Sequence, residues 1–392
     1  MKTDGAPMDT EIRGCCDRRF SAVKEAFASN FRIGGDVGAS FAATIDGEFA
    51  IDIWAGYADA DRTRPWERDT LACLYSTTKA MTALCALILV DRGQLDLDAP
   101  VARYWPEFGQ AGKEDIPVKY LLSHQSSLAG IDERIPVEAL LDWQRVVGLL
   151  AAQKPWWLPG TKCGYHALTQ GSLVGEVIRR IADRTVGKFL REELAYPLQA
   201  DCHIGLGQEL DFRVAEMIPP PIWQPGDPRY AVSGSLPEMS QKAMFPLIDQ
   251  DNPVAVSRSR AWRAAEIPSG NGYGNARSIA RLASVLACGE VDGTWLLTSP
   301  TIERAFQEQC HGTDVILGLP IRWALGFALA SKGMPFGSNP RTLFMGGGGG
   351  SAVVVDHDAR LSLAYVMNNC IGSAIEGDDR AMALGRALYA VL

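Results

Sequence analysis

Tyr75-Ser76-Thr77-Thr78-Lys79-Ala80-Met81-Thr82-Ala83-Leu84-Cys85-Ala86-Leu87-Ile88-Leu89-Val90 is the most apolar helix-like stretch of the chain. It opens on small hydroxyl residues, runs for about four turns, and stops at Asp91-Arg92-Gly93, where Gly93 suits a helix C-cap. Ser76 lies at its first turn and Lys79 three residues on. Positions i and i+3 share a helix face, so hydroxyl and amine can meet. The apolar body behind them predicts burial of that end. A hydroxyl at the positive end of a buried helix, beside a lysine in a dry place, is a candidate activated nucleophile.

Working outward, residues 11–31 read as an amphipathic helix, with Phe20, Val23, Phe27 and Phe31 on one side. Residues 39–44 and 49–55 alternate as two strands around Asp46-Gly47, a hairpin signal. Helices are expected over 101–105, 118–123, 136–152, 169–182, 186–193, 278–288 and 301–309. The proline-rich stretch 216–240 reads as a long irregular excursion of the kind that often carries function. Near the end, 351–355 and 361–367 form a second hairpin, preceded by five glycines, Gly346 to Gly350, and a closing helix spans about 379–391. Strands at both ends with helices between predict an α/β (α+β) fold. Its antiparallel sheet is assembled from both chain termini and flanked by helices, with a mainly helical domain inserted. The expected division is 1–74 plus 270–392 for the sheet domain and 75–269 for the helical one.

At 392 residues and 47% hydrophobic, the chain can bury a large core. A net charge of -8 without a basic run argues against nucleic acid and anionic membrane surfaces as partners. The first ten residues lack a signal-peptide core, and the longest apolar run, Ala80 to Val90, is too short to span a membrane. Nine scattered cysteines without CxxC fit reduced thiols, and five histidines show no metal spacing. A cytoplasmic globular protein without metal or cofactor is expected.

Ser76-x-x-Lys79 alone is a weak motif, and Ser21-Ala22-Val23-Lys24 supplies a decoy on an exposed helix. The bland reading makes Ser76 an N-cap and Lys79 a surface charge. Tyr165 adds weight. It follows the Pro159-Gly160 turn and leads into a helix, so its phenol can enter a cleft and relay the Ser76 proton, although a half-buried structural tyrosine is the commoner fate. The glycine run is the third element, because a strand edge with a bare N–H suits an oxyanion hole. A phosphate loop is disfavoured by the lack of GxxxxGKS, and no GxSxG signals a nucleophile elbow.

SxxK on a buried helix, a tyrosine after Pro-Gly and a glycine-rich strand near the C-terminus occur here in that order. So do Gly93-Gln94-Leu95-Asp96-Leu97-Asp98-Ala99-Pro100-Val101 and Leu121-Leu122-Ser123-His124-Gln125-Ser126-Ser127-Leu128. As a set they resemble the serine β-lactamase and penicillin-binding-protein superfamily, and more narrowly the family VIII carboxylesterases. The resemblance implies a β-lactamase/transpeptidase-like fold and a serine hydrolase acting through an acyl-enzyme on Ser76. Lys79 and Tyr165 would share base and acid duty, and the N–H groups of Ser76 and Gly348 would form the oxyanion hole. His124 sits in a motif that is structural.

Two departures matter. The amide that helps hold the lysine in the lactamase branch is missing from Tyr165-His166-Ala167. Met345-Gly346-Gly347 stands where lactamases carry Lys-Thr-Gly, whose lysine grips the substrate carboxylate. A thioether cannot replace that charge-assisted bond, which is worth about 1.5–3 kcal/mol. This shifts the expected substrate toward small uncharged esters, although Arg341 could restore the charge. Trp156, Trp157, Trp223, Met244, Phe245, Trp323 and Phe344 are candidates for an apolar acyl pocket. The alternatives are a β-lactamase, a D-amino-acid peptidase or acyltransferase on the same scaffold, and an inactive binding module.

Overall fold

A computed structural model of the chain describes residues 10–392 other than 34, 221–236, 245–255, 333, 335, 338 and 372–377. The strands are β1 (Arg13–Cys16), β2 (Gly38–Ile45), β3 (Glu48–Gly56), β4 (Ala72–Cys73), β5 (Cys202–Ile204), β6 (Gly272–Gly274), β7 (Glu290–Val291), β8 (Thr294–Trp295), β9 (Cys310–Thr313), β10 (Pro320–Trp323), β11 (Ala328–Leu329), β12 (Thr342–Gly346), β13 (Ala352–Asp356) and β14 (Leu361–Met367). Nine of them form one antiparallel sheet in the order β1-β3-β2-β14-β13-β12-β11-β10-β9. The chain ends meet at its centre, where β2 pairs with β14 from Ile45↔Leu361 to Ala39↔Met367. Both expected hairpins, β2–β3 and β13–β14, are present, and the sheet is built from both ends of the chain as the sequence predicts.

The two faces of this sheet follow from the register. Ser40, Thr44 and Ser362 point to the helix Ala276–Cys288: Ser40 Oγ accepts from Ala276 N–H, and Ser362 Oγ–H donates to Ala280 O at 2.7 Å. The opposite face carries Leu363 and Tyr365 and meets the C-terminal helix Asp379–Tyr389, which packs with helix α1 (Ser21–Arg32). Covered on both sides, β14 is buried along its whole length. It therefore reads as an apolar run instead of alternating.

The helices between are α2 (Thr78–Asp91), α3 (Val118–Leu122), α4 (Val137–Leu141), α5 (Trp143–Ala152), α6 (Thr169–Ala182) and α7 (Val186–Leu190). Every residue from Thr78 to Leu89 of α2 is buried. That is why its sequence is apolar all round and lacks one polar face. Gly93, at φ +68°, ends it as expected. The small sheet β4-β6-β5 crosses both expected domain boundaries and ties Leu74, just before Ser76, to Gly272 through a 2.8 Å bond from Leu74 N–H.

Three local expectations are corrected. The stretch 11–31 is not one helix: Arg13–Cys16 pairs with β3 as an edge strand, Asp17 caps a 3-10 turn through Arg19 N–H, and α1 begins only at Ser21. The segment 136–152 is two helices, because Asp142 leaves the helical region and caps α5 through Arg145 N–H at 3.2 Å. The helix over 75–90 starts later, with Tyr75–Thr77 forming a 3-10 turn ahead of Thr78. No helix among the described residues is long and apolar enough to cross a membrane. Most of the irregular stretch expected at 216–240 lies outside the described residues.

Candidate active site

Ser76 sits in the 3-10 turn between β4 and α2, preceded by Tyr75 at φ +44°. A bulky residue in the left-handed region costs free energy, and such outliers gather at functional sites. Its hydroxyl is anchored to Ser257 at 3.0 Å, and the strained turn aims Ser76 off the end of the helix. Lys79 follows one turn later and is 1% exposed. Its Nζ donates to Ala167 O at 2.7 Å and Ser269 O at 2.9 Å, lies 3.4 Å from Ser76 Oγ, and stands 4.8 Å above the Tyr165 ring. With no carboxylate beside it among the described residues, desolvation drives its pKa well below the ordinary lysine value.

A second buried lysine shows what is special here. Lys113 Nζ donates to three main-chain carbonyls, of Gln110, Ala151 and Gln153, at 2.9, 3.0 and 2.6 Å. That cage satisfies all three hydrogens of an ammonium. Lys79 has only two carbonyls, of Ala167 and Ser269, and its third contact is Ser76 Oγ at 3.4 Å. The missing amide at Ala167 is therefore replaced by the main-chain carbonyl of the same residue.

Tyr165 is buried, and burial raises its phenol above the ordinary tyrosine value, opposed by its interaction with Ser76. The ring is clamped from behind. Trp323 stacks on it at 5.8 Å and 9°, and His124 packs on both rings. Asp314, fully buried, accepts the N–H groups of Tyr165, Ile316 and Leu317 through Oδ1 and that of the Trp323 indole through Oδ2. His124, at φ +61°, accepts His166 N–H on Nδ1 at 3.1 Å, so its ring proton sits on Nε2. His166 turns away from Lys79, donating from Nδ1 to Gly164 O and accepting from Ser126 Oγ–H.

The glycine run ends β12 and turns into β13. Gly347 N–H donates to Ser351 O at 2.7 Å and Gly350 N–H to Gly347 O at 2.9 Å, closing a β-turn with Gly348 and Gly349 at its tip. Ser351 fastens this turn to the nucleophile's own: its Oγ–H donates to Leu74 O at 2.8 Å and its Oγ accepts from Thr77 Oγ1–H at 2.9 Å. A methyl at Gly347 would strike Leu74 O, and one at Gly350 (φ +118°) would strike Asp378. A methyl at exposed Gly348 would meet nothing within 4 Å.

The structure thus gathers Ser76, Lys79 and Tyr165, with the turn carrying Gly346, Gly347 and Gly348 held against Leu74 and Thr77. The acyl-pocket candidates separate. Trp157, half-buried, lies over Gly164 next to Tyr165. Trp156 donates its indole N–H to Asp132, and Met244 ends the helix Glu238–Met244. Trp323 is 0% exposed and belongs behind Tyr165, where it cannot wall a cleft. Phe344 stacks on Phe336 at 4.4 Å on the sheet face of the C-terminal helix, away from Ser76. Met345 is fully buried inside β12. Trp223 and Phe245 lie outside the described residues. Arg341 stands at the far end of β12, paired with Glu303 at 2.9 Å and Asp358 at 3.6 Å, and supplies no charge to the glycine turn. The decoy Lys24 is exposed.

Sequence reasoning missed Ala167, Ser269, Asp314 and Ser351. The first two act through main-chain carbonyls, which no residue type announces.

Two outcomes follow. Gly348→Ala is expected to fold with unchanged thermal stability, whereas Gly350→Ala loses about 2 kcal/mol or more from collision at a positive φ; paired denaturant melts check this. His166, its pKa pushed by burial to about 3, is neutral when folded. The unfolded chain takes that proton near pH 6.5, so this stability is complete above pH 6.5 and drains as pH falls toward 3. Urea midpoints between about pH 6.5 and 4.5 should fall less steeply in His166→Asn, by about 1.4 kcal/mol per pH unit; parallel slopes would contradict it.

Comparison with known proteins shows the family. Residues 27–385 match the beta-lactamase family. The esterase/beta-lactamase LipL of Mycobacterium tuberculosis is 32% identical over 382 residues, covering 96% of this chain and 87% of that protein. A crystal structure of a family VIII carboxylesterase superposes with a TM-score of 0.90 at 40% identity, covering 97% of this chain and 100% of that one. A penicillin-binding-protein homologue from Caulobacter crescentus gives 0.88 at 38% identity, covering 98% and 100%. This chain belongs to the beta-lactamase family.

Proposed function

We propose that the protein is a serine carboxylesterase that hydrolyses small, uncharged carboxylic esters through an acyl-enzyme on Ser76. The observation that carries this reading is the two-carbonyl cradle of Lys79, which leaves its dehydrated amine facing Ser76 Oγ at 3.4 Å. The neutral amine takes the Ser76 proton as Oγ bonds to the ester carbonyl carbon. The resulting oxyanion is received by the N–H groups of Ser76 and Gly348. Tyr165, kept protonated by burial, gives its proton to the departing alkoxide and regains one from the Lys79 ammonium. Water then attacks the acyl carbon, its proton passes to the amine, and Ser76 leaves with a proton restored.

The preference for uncharged esters follows from what surrounds the glycine turn. Met345 is buried and Arg341 is engaged at the other end of its strand. Among the described residues, no side chain at the third-motif position replaces the lactamase lysine. The names of similar proteins, an esterase/beta-lactamase and the esterase EstB of Burkholderia gladioli, support an ester and keep a lactam as the second reading.

Ser76→Ala is expected to abolish turnover of a chromogenic short-chain ester while the protein stays folded, and a fluorophosphonate should add mass to the Ser76 peptide and not to the Ser21 peptide. Cephalosporin hydrolysis faster than ester hydrolysis would transfer the assignment to the lactamase reading, and an unchanged mass would indicate an inactive binding module. Lys79 titrates well below its ordinary value of about 10.4. Because protonation removes the base, kcat/KM should rise with pH and reach its plateau well below the ordinary lysine value. A rate still climbing toward pH 10 would mean a lysine that is charged at rest.

A further inference from the structure

Behind the glycine turn lies a buried ionic cluster that the reaction above does not use. Arg380, in the first turn of the C-terminal helix, is 2% exposed, as are Asp36 and Asp378. Its Nε and Nη2 donate to the two oxygens of Asp378 at 2.9 and 2.6 Å, and its Nη1 donates to Asp36 at 2.7 Å and to Asn369 O at 2.9 Å. Tyr365 Oη–H reaches both oxygens of Asp36 at 2.7 Å. The fifth guanidinium hydrogen, on Nη2, goes to Gly349 O at 3.4 Å. All five donors of the fork are placed. Such a cluster is weak evidence for stability, because a well-packed apolar replacement is often as stable.

The contact with Gly349 gives the cluster another job. Gly349 C=O and Gly350 N–H belong to one peptide plane, and Gly347 C=O and Gly348 N–H to another. Neither peptide is cis, so in each plane the carbonyl and the N–H point in opposite directions. Arg380 holds the carbonyl of the first plane. The N–H of that plane holds the carbonyl of the second at 2.9 Å. The free end of this line is Gly348 N–H. A tip made of glycines has no side chains to fix its dihedrals and would otherwise sample several.

We propose that Arg380 is a positioning residue for the oxyanion donor: through two aligned peptide planes it orients and polarises the N–H of Gly348. The inference rests on the esterase reading, in which that N–H meets the oxyanion. Hydrogen bonds in series polarise one another, and a full positive charge at the origin of the line strengthens the donor at its end. The cluster also explains Gly350, and other neighbours crowd Gly349. Gly350 has no room for a methyl against Asp378, nor Gly349 against Cys370 and Met367.

The test compares a chromogenic short-chain ester with its thionoester, in which a poorly accepting sulfur replaces the carbonyl oxygen. Acylation of Ser76 is followed in single turnover by mass spectrometry, so that slow reactions are measurable. Arg380→Lys keeps the charge but cannot serve five partners. Its ester acylation should fall about ten- to a hundredfold, part of what removal of an oxyanion donor costs. KM should stay within about twofold and the thionoester rate within about threefold. An equal fall on both substrates, or none on the ester, overturns the proposal. If circular dichroism shows Arg380→Lys unfolded, the isosteric Asp36→Asn, which frees one end of the guanidinium, must shift the ester-to-thionoester ratio at least about threefold in the same direction. Failure of the wild-type protein to acylate with the ester would instead sink the esterase reading, before any variant is compared.

Discussion

The site depends on one dehydrated amine. Removing Lys79 from water disfavours its charged form, and among the described residues no carboxylate stands beside it to bring that form back. Its neighbours are two main-chain carbonyls and Ser76 Oγ. Lys113, which is caged by three carbonyls, is pushed down by desolvation as well, but not as far below the ordinary lysine value. The placement of Lys79 constrains everything around it: α2 must be buried on all sides, β6 must bring Ser269 close, and the start of α6 must bring Ala167.

These requirements explain how the two ends of the chain and its middle are joined. The small sheet β4-β6-β5 carries Ser76 out of Cys73 and delivers Gly272, whose N–H is received by Thr78 Oγ1 at 2.8 Å in the first turn of α2. Ser351 then fastens the glycine turn to Leu74 and Thr77. Ser76, Lys79 and the glycine turn are therefore referenced to one another through short main-chain and hydroxyl contacts, with few long side chains between them. Precision of that kind is what positioned catalysis needs, since small misplacements at a site are costly.

Much of this was legible in the sequence because particular residues leave strong signals. The apolar run after Ser76 could only be a buried helix, Asp46-Gly47 and the Asp356 turn marked hairpins, and Gly93 marked an end. Pro159-Gly160 before Tyr165 and the five glycines were visible as punctuation. What was not legible shares a physical cause. The edge strand Arg13–Cys16 is held by backbone pairing with β3, and its charged and small residues show no alternation. Strands β10 and β11 are too short to display a period. The lysine cradle is made of carbonyls, which every residue has. Asp314 reads as one more acidic loop residue until the fold aims three N–H groups and an indole at it. Trp323 and Phe344 are pocket candidates in the sequence; pairing and stacking turn one behind Tyr165 and the other to the far face of the sheet.

Backbone strain is present where these constraints meet. Tyr75 at φ +44°, His124 at +61° and Ser127 at +65° are non-glycine residues in left-handed conformations. Two buttress the catalytic candidates directly: Tyr75 precedes the nucleophile, and His124 packs against Tyr165. Ser127 works one step further out, its Oγ accepting Trp157 N–H at 2.5 Å and so holding the tryptophan that covers Gly164. Each such residue costs on the order of 1 kcal/mol or more, and His124 and His166 add the cost of two imidazoles kept neutral by burial. A chain selected for stability alone would relax these positions. Among the described residues, seven other non-glycine residues with positive φ sit in turns and helix ends away from the site, so what sets these three apart is their contact with the segments that carry Ser76 and Tyr165. The large two-faced sheet core is what can bear their strain.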